Sequence, residues 1–429
     1  MRRTVLRGLL LAGSIAALAG CGSTGSAGGG GSSGGKSSGG GATNVMTAKN
    51  GKFPHPIVIG GAIGKTGQQA PFDGPPWNGV QLAIQDINKA GGVDGQPIKT
   101  ISQDSTSTVP GARTATLGVL GRGAQLTFQT CNYDFGVAGG EAASSAGVIA
   151  WSLCAASPKW GVQGIGKTAF TAGVVTYAEG NVDADFGVKH FGKNAYLICD
   201  SWIDYTLQTC QGFKDAVKQY GVNVVGDVTV NTTKNTNLSA QMTQLRNTKG
   251  VDFIYAPIVA PTGLTILKQI RAAGINLPIV SPTANYGRFW AATLPSLSNY
   301  YVDGPAQVYG NKPGELSGGD PRPAVNAIVK RYVSIYHKNP DHGNFLEGYA
   351  SMMILAQAMK ATGTTSGTAI ASWIDKHGPF NTVLGPKVWT STLQSDPKRE
   401  FIFVKYTKSW PSYFATMTPT ATVNLHLGG

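Results

Sequence analysis

Three patterns in this 429-residue chain have the spacing of chemistry. Gly161-Val-Gln-Gly-Ile-Gly166-Lys167-Thr168 fits the phosphate cradle G-x-x-x-x-G-K-[ST]. That cradle needs a strand before the loop and a helix after it, so that amides and a helix N-terminus face the phosphates. Here Ser157-Pro158-Lys159-Trp160 precedes it, and Ala169-Phe170-Thr171-Ala172 follows as extended chain, so nucleotide binding is not expected. Gly31 to Gly35 and Gly35 to Gly39 both spell G-x-S-x-G, but they fall in a Gly/Ser tract that cannot hold a strained nucleophile elbow. The six histidines show no metal-ligand spacing, and His337 with His342 reads as a solvated helix end. No metal, cofactor or catalytic residue is expected, which points to a binding protein and not an enzyme.

Five cysteines remain to be explained. Cys21 closes Leu18-Ala19-Gly20-Cys21, after Arg2, Arg3, Arg7 and an apolar run from Leu9 to Ala17 that is short for a bilayer span. This looks like a bacterial lipobox: residues 1–20 as signal peptide, with lipid on the Cys21 thiol. Two or three acyl chains give stable anchoring. The other four cysteines are an even number in an oxidising compartment and allow three pairings. Cys131 and Cys154 end two strand-like runs that neighbouring parallel strands would bring close, which favours Cys131 with Cys154 and Cys199 with Cys210. Free buried thiols are the alternative.

The elements that would position a site begin at Pro56. Ile57, Val58 and Ile59 are a β-branched run ending in glycines, read as a buried parallel strand. Pro75 and Pro76 suit the opening of a helix, whose apolar face is Val80, Leu82, Ala83, Ile84 and Ile87, stopped by Gly91 and Gly92. Phe72 and Asp73 then lie in the loop between. Further strands are expected at 98–103, 125–130, 148–153, 195–200, 224–230, 253–257, 278–281 and 301–308. Helices are expected at 110–121, 178–191, 207–220, 238–248, 262–273 and 345–363. Alternation with short connections is the pattern of an α/β fold with parallel sheets. Upstream, Gly22 to Gly41 is a Gly/Ser tract without the apolar residues of a core, read as a tether of about 25 Å.

The formal charge is +13, yet no Lys/Arg cluster is interleaved with aromatics, so no nucleic-acid partner is expected. The length suffices for two domains.

Ile59-Gly60-Gly61-Ala62, Trp77-Asn78-Gly79 and Ala83-Ile84-Gln85-Asp86-Ile87-Asn88 resemble the first unit of bacterial leucine/isoleucine/valine-type periplasmic binding proteins, the solute receptors of ABC importers. Phe345 to Gly363 and Thr382 to Trp389 resemble later pieces of the same family, in the same order. The resemblance implies an α/β fold of two similar lobes, each a doubly wound parallel-sheet domain, joined by three crossovers: a type 1 periplasmic binding protein fold. It places residues 56–172 and 305–400 in an N-terminal lobe and 173–304 and 401–429 in a C-terminal lobe, after an anchored linker over 21–55. Crossings are expected near 171–173, 303–305 and 401–404.

In open α/β sheets ligands sit beyond the carboxyl ends of strands. Asn132 and Tyr133, which would open a helix and whose loop can hold a carboxylate, and Ala155, Ala156 and Ser157 match first-lobe contacts of the resembled family. In the second lobe Tyr205 matches a tyrosine that closes over ligand, Trp202 and Asp204 are near it, and Ile258 and Val259 occupy another contact loop. Family members that bind amino acids usually carry an acid in the loop that here reads Ser281-Pro282-Thr283-Ala284-Asn285, which has none. A desolvated ammonium without a charged partner is costly. Glu347 or Asp204 can substitute; otherwise a pocket of Phe72, Tyr133, Tyr205, Thr283, Asn285 and Phe345 suits a carboxylate, amide or aromatic solute. The expected protein is a monomeric, lipid-anchored, extracytoplasmic receptor partnered by an ABC permease. A sensor of the same fold with a signalling partner is the alternative.

Overall fold

The computed structural model describes residues 44–427. The expected signal peptide over residues 1–20, the expected lipid site Cys21 and the Gly22 to Gly41 tract lie outside them. The first sheet holds β1 (Ile57–Ile63), β2 (Ile98–Asp104), β3 (Leu126–Gln129), β4 (Ala150–Ser152) and β5 (Ala169–Thr171), in the order β2-β1-β3-β4-β5 and parallel throughout. β1, β3, β4 and β5 are almost wholly buried because helices cover both faces, while the edge strand β2 is polar and partly exposed. These are α1 (Ala70–Lys89), α2 (Val109–Gly121) and α3 (Tyr133–Ser145).

The chain leaves this sheet after Thr171 and enters α4 (Thr176–His190). A second sheet then forms from β6 (Asn194–Asp200), β7 (Asn223–Val230), β8 (Phe253–Tyr255), β9 (Ile279–Ser281) and β10 (Tyr300–Gly304), with α5 (Asp204–Tyr220), α6 (Ser239–Asn247), α7 (Leu264–Ala272) and the single turn α8 (Arg288–Ala291) between strands. After β10 come α9 (Pro323–Tyr336), α10 (Phe345–Thr362), α11 (Gly367–His377) and the hairpin of β11 (Phe380–Thr382) and β12 (Gly385–Lys387). α10 packs along α1 so closely that a Cβ on Gly79 would lie 1.9 Å from the Phe345 carbonyl oxygen. The chain ends by rejoining the second sheet as β13 (Phe401–Thr407) and β14 (Trp410–Met417), giving the order β14-β13-β10-β9-β8-β6-β7.

One apolar core joins α1, α10 and α11 to the first sheet through Trp77, Val80, Leu355 and Ile374. Another runs from Leu82 of α1 and Phe345 of α10 through Val329 and Tyr332 of α9 to Trp290 and Tyr406. α9 therefore bridges the helices of the first sheet and the face of the second.

Several expectations change. α1 starts at Ala70, so Phe72 and Asp73 sit in its first turn and not in a loop, while Pro75 and Pro76 lie inside the helix. The Asp73 carboxylate anchors that turn, accepting from the Gly64 amide at 2.6 Å and the Cys131 amide at 2.7 Å. Prolines four residues after Pro71 and Phe72 forgo two helical bonds, a loss these anchors offset. The strand expected to reach Val308 stops at Gly304, ahead of Pro305. Phe401 to Val404, expected as a crossing, is a central strand between β10 and β14. His342 is fully buried, not a solvated helix end: its Nδ1 accepts from the Asn344 amide at 3.1 Å and its ring meets Tyr286 edge-on. Burial holds it neutral, with its pKa pushed down to about 3. The G-x-x-x-x-G-K-T stretch is a series of turns between β4 and β5, so no helix N-terminus follows it.

Candidate functional site

A cleft with about 500 Å³ of space not filled by atoms, part of it open to solvent, lies at the carboxyl ends of strands from both sheets. The first sheet brings Phe72, Asn132 and Ala156 to its wall; the second brings Tyr205, Val259 and Thr283. The Cys131–Cys154 disulfide also lines it, with Cα atoms 4.4 Å apart. Register explains that pairing: Gln129 lies opposite Ser152 in the β3–β4 ladder, and each cysteine follows two residues later. Cys199 and Cys210, at the end of β6 and in α5, form the second bridge.

Some donors of the first wall are held by the protein itself, while the Asn132, Ala156 and Ser157 amides have no acceptor among the described residues. Asp73 takes the Cys131 amide, the Asn132 side chain caps α3 by accepting from the Phe135 amide at 3.3 Å, and Ser152 Oγ accepts from the Ala155 amide at 2.9 Å. Asp73 is fully buried, and burial pushes its pKa up to about 6 against the two amide bonds that hold it down.

The second wall carries charge. α4 is buried at every position from Thr176 to Gly187 and places Glu179 on the cleft. α4 and α5 touch backbone to backbone here, since a Cβ on Gly180 would lie 2.0 Å from the Thr209 carbonyl oxygen. That contact fixes Glu179 against Tyr205, whose hydroxyl donates to Glu179 Oε2 at 2.6 Å and accepts from the Ala284 amide at 3.1 Å. Across from it, Arg399 pairs with Glu347 through Nη1, reaches Thr283 Oγ1 at 3.4 Å with Nη2, and lies over the Phe401 ring. Thr283 in turn donates to Asp303 at 3.0 Å. Glu179, Glu347 and Arg399 are 2%, 1% and 5% exposed, so this is buried charge and not a solvated face. Burial raises Glu179 well above the usual carboxylate range, reinforced by Asp303. Glu347 is raised by burial and held back by Arg399.

Contacts between the two sheets close the mouth. Lys159, after β4, pairs with Asp204 at the start of α5 at 2.5 Å, and its ammonium lies 5.6 Å from the Tyr133 ring centre. Gln208 of α5 donates to Ser157 Oγ at 3.2 Å, and Phe72 meets Phe289 edge-on at 5.4 Å.

Of the residues expected at the site, Phe72, Asn132, Ala156, Tyr205, Val259 and Thr283 line the cleft. Tyr133, Ser157, Trp202 and Asp204 stand at the contacts around the mouth, Trp202 edge-on to Phe135. Ala155 is buried behind the wall. Asn285 and Phe345 do not reach the cleft. Asn285 turns into the core, donating to the Ile258 carbonyl, while Phe345 packs against Tyr332 beneath α1. Glu347 lines the cleft, but tied to Arg399. Sequence reasoning missed Glu179, Arg399 and Asn344. The spacing of Glu179 and Asp183, one helical turn apart in a glycine- and alanine-rich stretch, was the available signal for a buried acidic face; Arg399 left none.

The sequence matches the profile of the Periplasmic binding protein family over residues 56–409. The chain belongs to this family. Within it, an "Amino acid binding protein" of Pseudomonas aeruginosa is 24% identical over 339 residues, covering 78% of this chain and 86% of the relative. "Leu/Ile/Val-binding protein homolog 1" of Brucella suis is 23% identical over 345 residues, 80% of this chain and 88% of the relative. Among solved structures, the branched-chain amino acid transporter substrate binding protein LivJ of Streptococcus pneumoniae, in complex with isoleucine, superposes with a TM-score of 0.71 at 22% identity, covering 85% of this chain and 99% of that one. A solute binding protein of an ABC transporter from R. palustris, in complex with benzoate, gives 0.67 at 17% identity, covering 85% and 97%. This periplasmic binding protein thus has the α/β fold of the type 1 class, with two sheets flanking a cleft. Among the described residues no helix is long and apolar enough to cross a membrane.

Proposed function

We propose that this chain is the extracytoplasmic solute receptor of an ABC importer, anchored through Cys21. The observation that carries this reading is the cleft itself: six expected residues, three from each sheet, converge on one cleft in a chain of this family. A ligand touching Phe72 and Asn132 on one side and Tyr205 and Thr283 on the other gains contact with both walls only when they approach. It therefore favours the closed arrangement by its differential affinity for it. The closed form is what a permease would read. Lys159–Asp204 and Gln208–Ser157 are the contacts that would break on opening.

Full-length protein purified natively, then denatured, is expected to release a small solute in near-stoichiometric amount and chemically unchanged on return to fresh protein. Conversion of that solute into a product refutes the receptor reading. Labelled palmitate is expected on the parent and absent from Cys21→Ala; label on the variant refutes the anchor.

A further inference from the structure

We infer that the C-terminal tail, residues 418–427, is a strap laid over the crossings between the two sheets, and that it holds the cleft in its closed arrangement. This rests on the closure proposed above and assigns a part in it to a segment that does not line the cleft.

The tail leaves β14 at one edge of the second sheet and runs without regular structure back over α5 and α4. Polar side chains of those helices hold it. The Tyr220 hydroxyl accepts from the Ala421 amide at 3.0 Å. Gln219 accepts from the Thr422 amide and donates to the Thr422 carbonyl, each at 3.0 Å, and Asn181 donates to the same carbonyl at 3.4 Å. His426 fastens the far end: its Nε2 meets Asp215 Oδ2 at 2.6 Å, and its ring centre lies 4.9 Å from that of Tyr177. All of these partners sit on α4 and α5, which share an apolar core with the second sheet. The tail therefore moves with that sheet.

Its apolar side chains reach further. Val423 and Leu425 pack against Val175, Tyr177 and Leu393. Val175 stands just before α4, where the chain has left the first sheet. Its amide donates to the Asp396 carbonyl at 3.1 Å, on the segment that leads back to β13, so two crossings are joined there. Leu393 belongs to the other side. The Thr171 amide of β5 donates to the Gln394 carbonyl at 3.0 Å, the Val162 amide donates to the Gln394 side chain at 2.9 Å, and Gln163 donates to the Thr392 carbonyl at 3.1 Å. The turn that carries Leu393 is thus tied to the first sheet. One sheet bears the tail, and the other supplies part of its seat.

A rotation of the sheets about their crossings displaces Leu425 from Leu393. The seat is formed in the arrangement whose mouth is shut by Lys159–Asp204 and Gln208–Ser157. A contact made in one arrangement and lost in another shifts the balance toward the first. Tyr177 and Leu393 are 9% and 8% exposed beneath the tail, and lifting it returns apolar surface to water. The strap thus favours closure from outside the cleft, as a solute does from within.

The test reads opening on the full chain freed of solute by extensive dialysis. The Asp204 amide donates to the Asp134 carboxylate across the mouth at 3.3 Å, so its hydrogen exchange follows the open fraction. The amides of Phe213 and Ala216, in the body of α5, report the helix itself. Parent protein is compared with Leu425→Ala, Leu393→Ala and the two combined, by hydrogen exchange resolved to single amides. Each single variant is expected to speed Asp204 exchange roughly fivefold, the factor for losing part of one buried leucine contact, with Phe213 and Ala216 unchanged. The combined variant is expected to be about as fast as either single one, because both remove the same contact. Asp204 exchange no faster than in the parent overturns the inference. Equal acceleration at Asp204, Phe213 and Ala216 means that the tail only caps α5, and effects that multiply in the combined variant mean that the two leucines do not act on each other; either result overturns it. Leu393→Ala leaves the tail whole and decides the matter even if Leu425→Ala does not fold. The receptor reading is decided separately, by release of a native solute from the parent.

Discussion

Arg399→Met is the perturbation whose cost follows most directly from the geometry. Arg399 is 5% exposed and holds Glu347, 1% exposed, through Nη1. Its removal also forfeits the 3.4 Å bond to Thr283 and the stacking 4.6 Å over Phe401. Glu347 is then left buried with Asp396 near and only Lys387 as a counter-charge. Breaking one partner out of a buried pair costs about 3–5 kcal/mol, because the remaining charge keeps its desolvation penalty. The cost is capped by protonation: a carboxyl whose folded pKa is raised loses nothing below its unfolded value, near 4.3, and loses progressively more as pH climbs toward the folded one. The deficit of Arg399→Met is therefore expected to be full at pH 7.5 and to shrink toward pH 4. Replacing both partners, Arg399→Met with Glu347→Met, removes both charges and is expected to recover most of the loss. Urea unfolding, with stability read from the midpoint at unchanged slope, measures all three proteins. A single-variant cost under about 1 kcal/mol at pH 7.5, or a double variant as unstable as the single, refutes the reasoning.

Three further outcomes are expected. Asp73, with its pKa pushed up to about 6 from 3.8, makes folding less favourable as pH rises from 4 to 6, by about 3 kcal/mol in total; Asp73→Asn flattens the urea midpoint over that range, and an unchanged slope counts against it. Gly180→Ala sets a methyl 2.0 Å from the Thr209 carbonyl oxygen and is expected to cost about 1–3 kcal/mol by chemical denaturation, with a solute affinity that falls because Glu179 shifts. Replacing Cys131 and Cys154 together by alanine opens a crosslink of sequence separation 23 and lowers stability by about 3 kcal/mol, read the same way; equal stability would mean the bridge contributes nothing.

Much of the architecture was legible in order along the chain. Runs such as Ile57 to Ile59 and Leu126 to Phe128 are β-branched or apolar throughout, and a sheet covered on both faces accommodates that. Each lies in one segment, so its pattern is local. The cleft residues that follow strands were legible for the same reason: Asn132, Ala156, Tyr205, Val259 and Thr283 come shortly after β3, β4, β6, β8 and β9. Cys131 and Cys154 belonged to this class because adjacent parallel strands end together.

What only the tertiary structure decided is how charge is shared across the cleft. Glu347 and Arg399 are 52 residues apart, and Glu179 and Tyr205 are 26 apart on two helices that meet at Gly180 and Gly212. No local pattern encodes such a pair. The absence of an acid between Ser281 and Asn285 was plain in the sequence, but the presence of one on α4 was not, since a buried glutamate reads as an ordinary helical residue until its neighbours are known. Asn285 and Phe345 failed as cleft residues because which way a side chain turns after a strand or at a helix start depends on what packs behind it. Here that is the Ile258 carbonyl for one and Tyr332 for the other. Chain order alone determined the sheets and the loops that meet at their ends; long-range packing and the cost of buried charge determined which of those loops' side chains face the cleft.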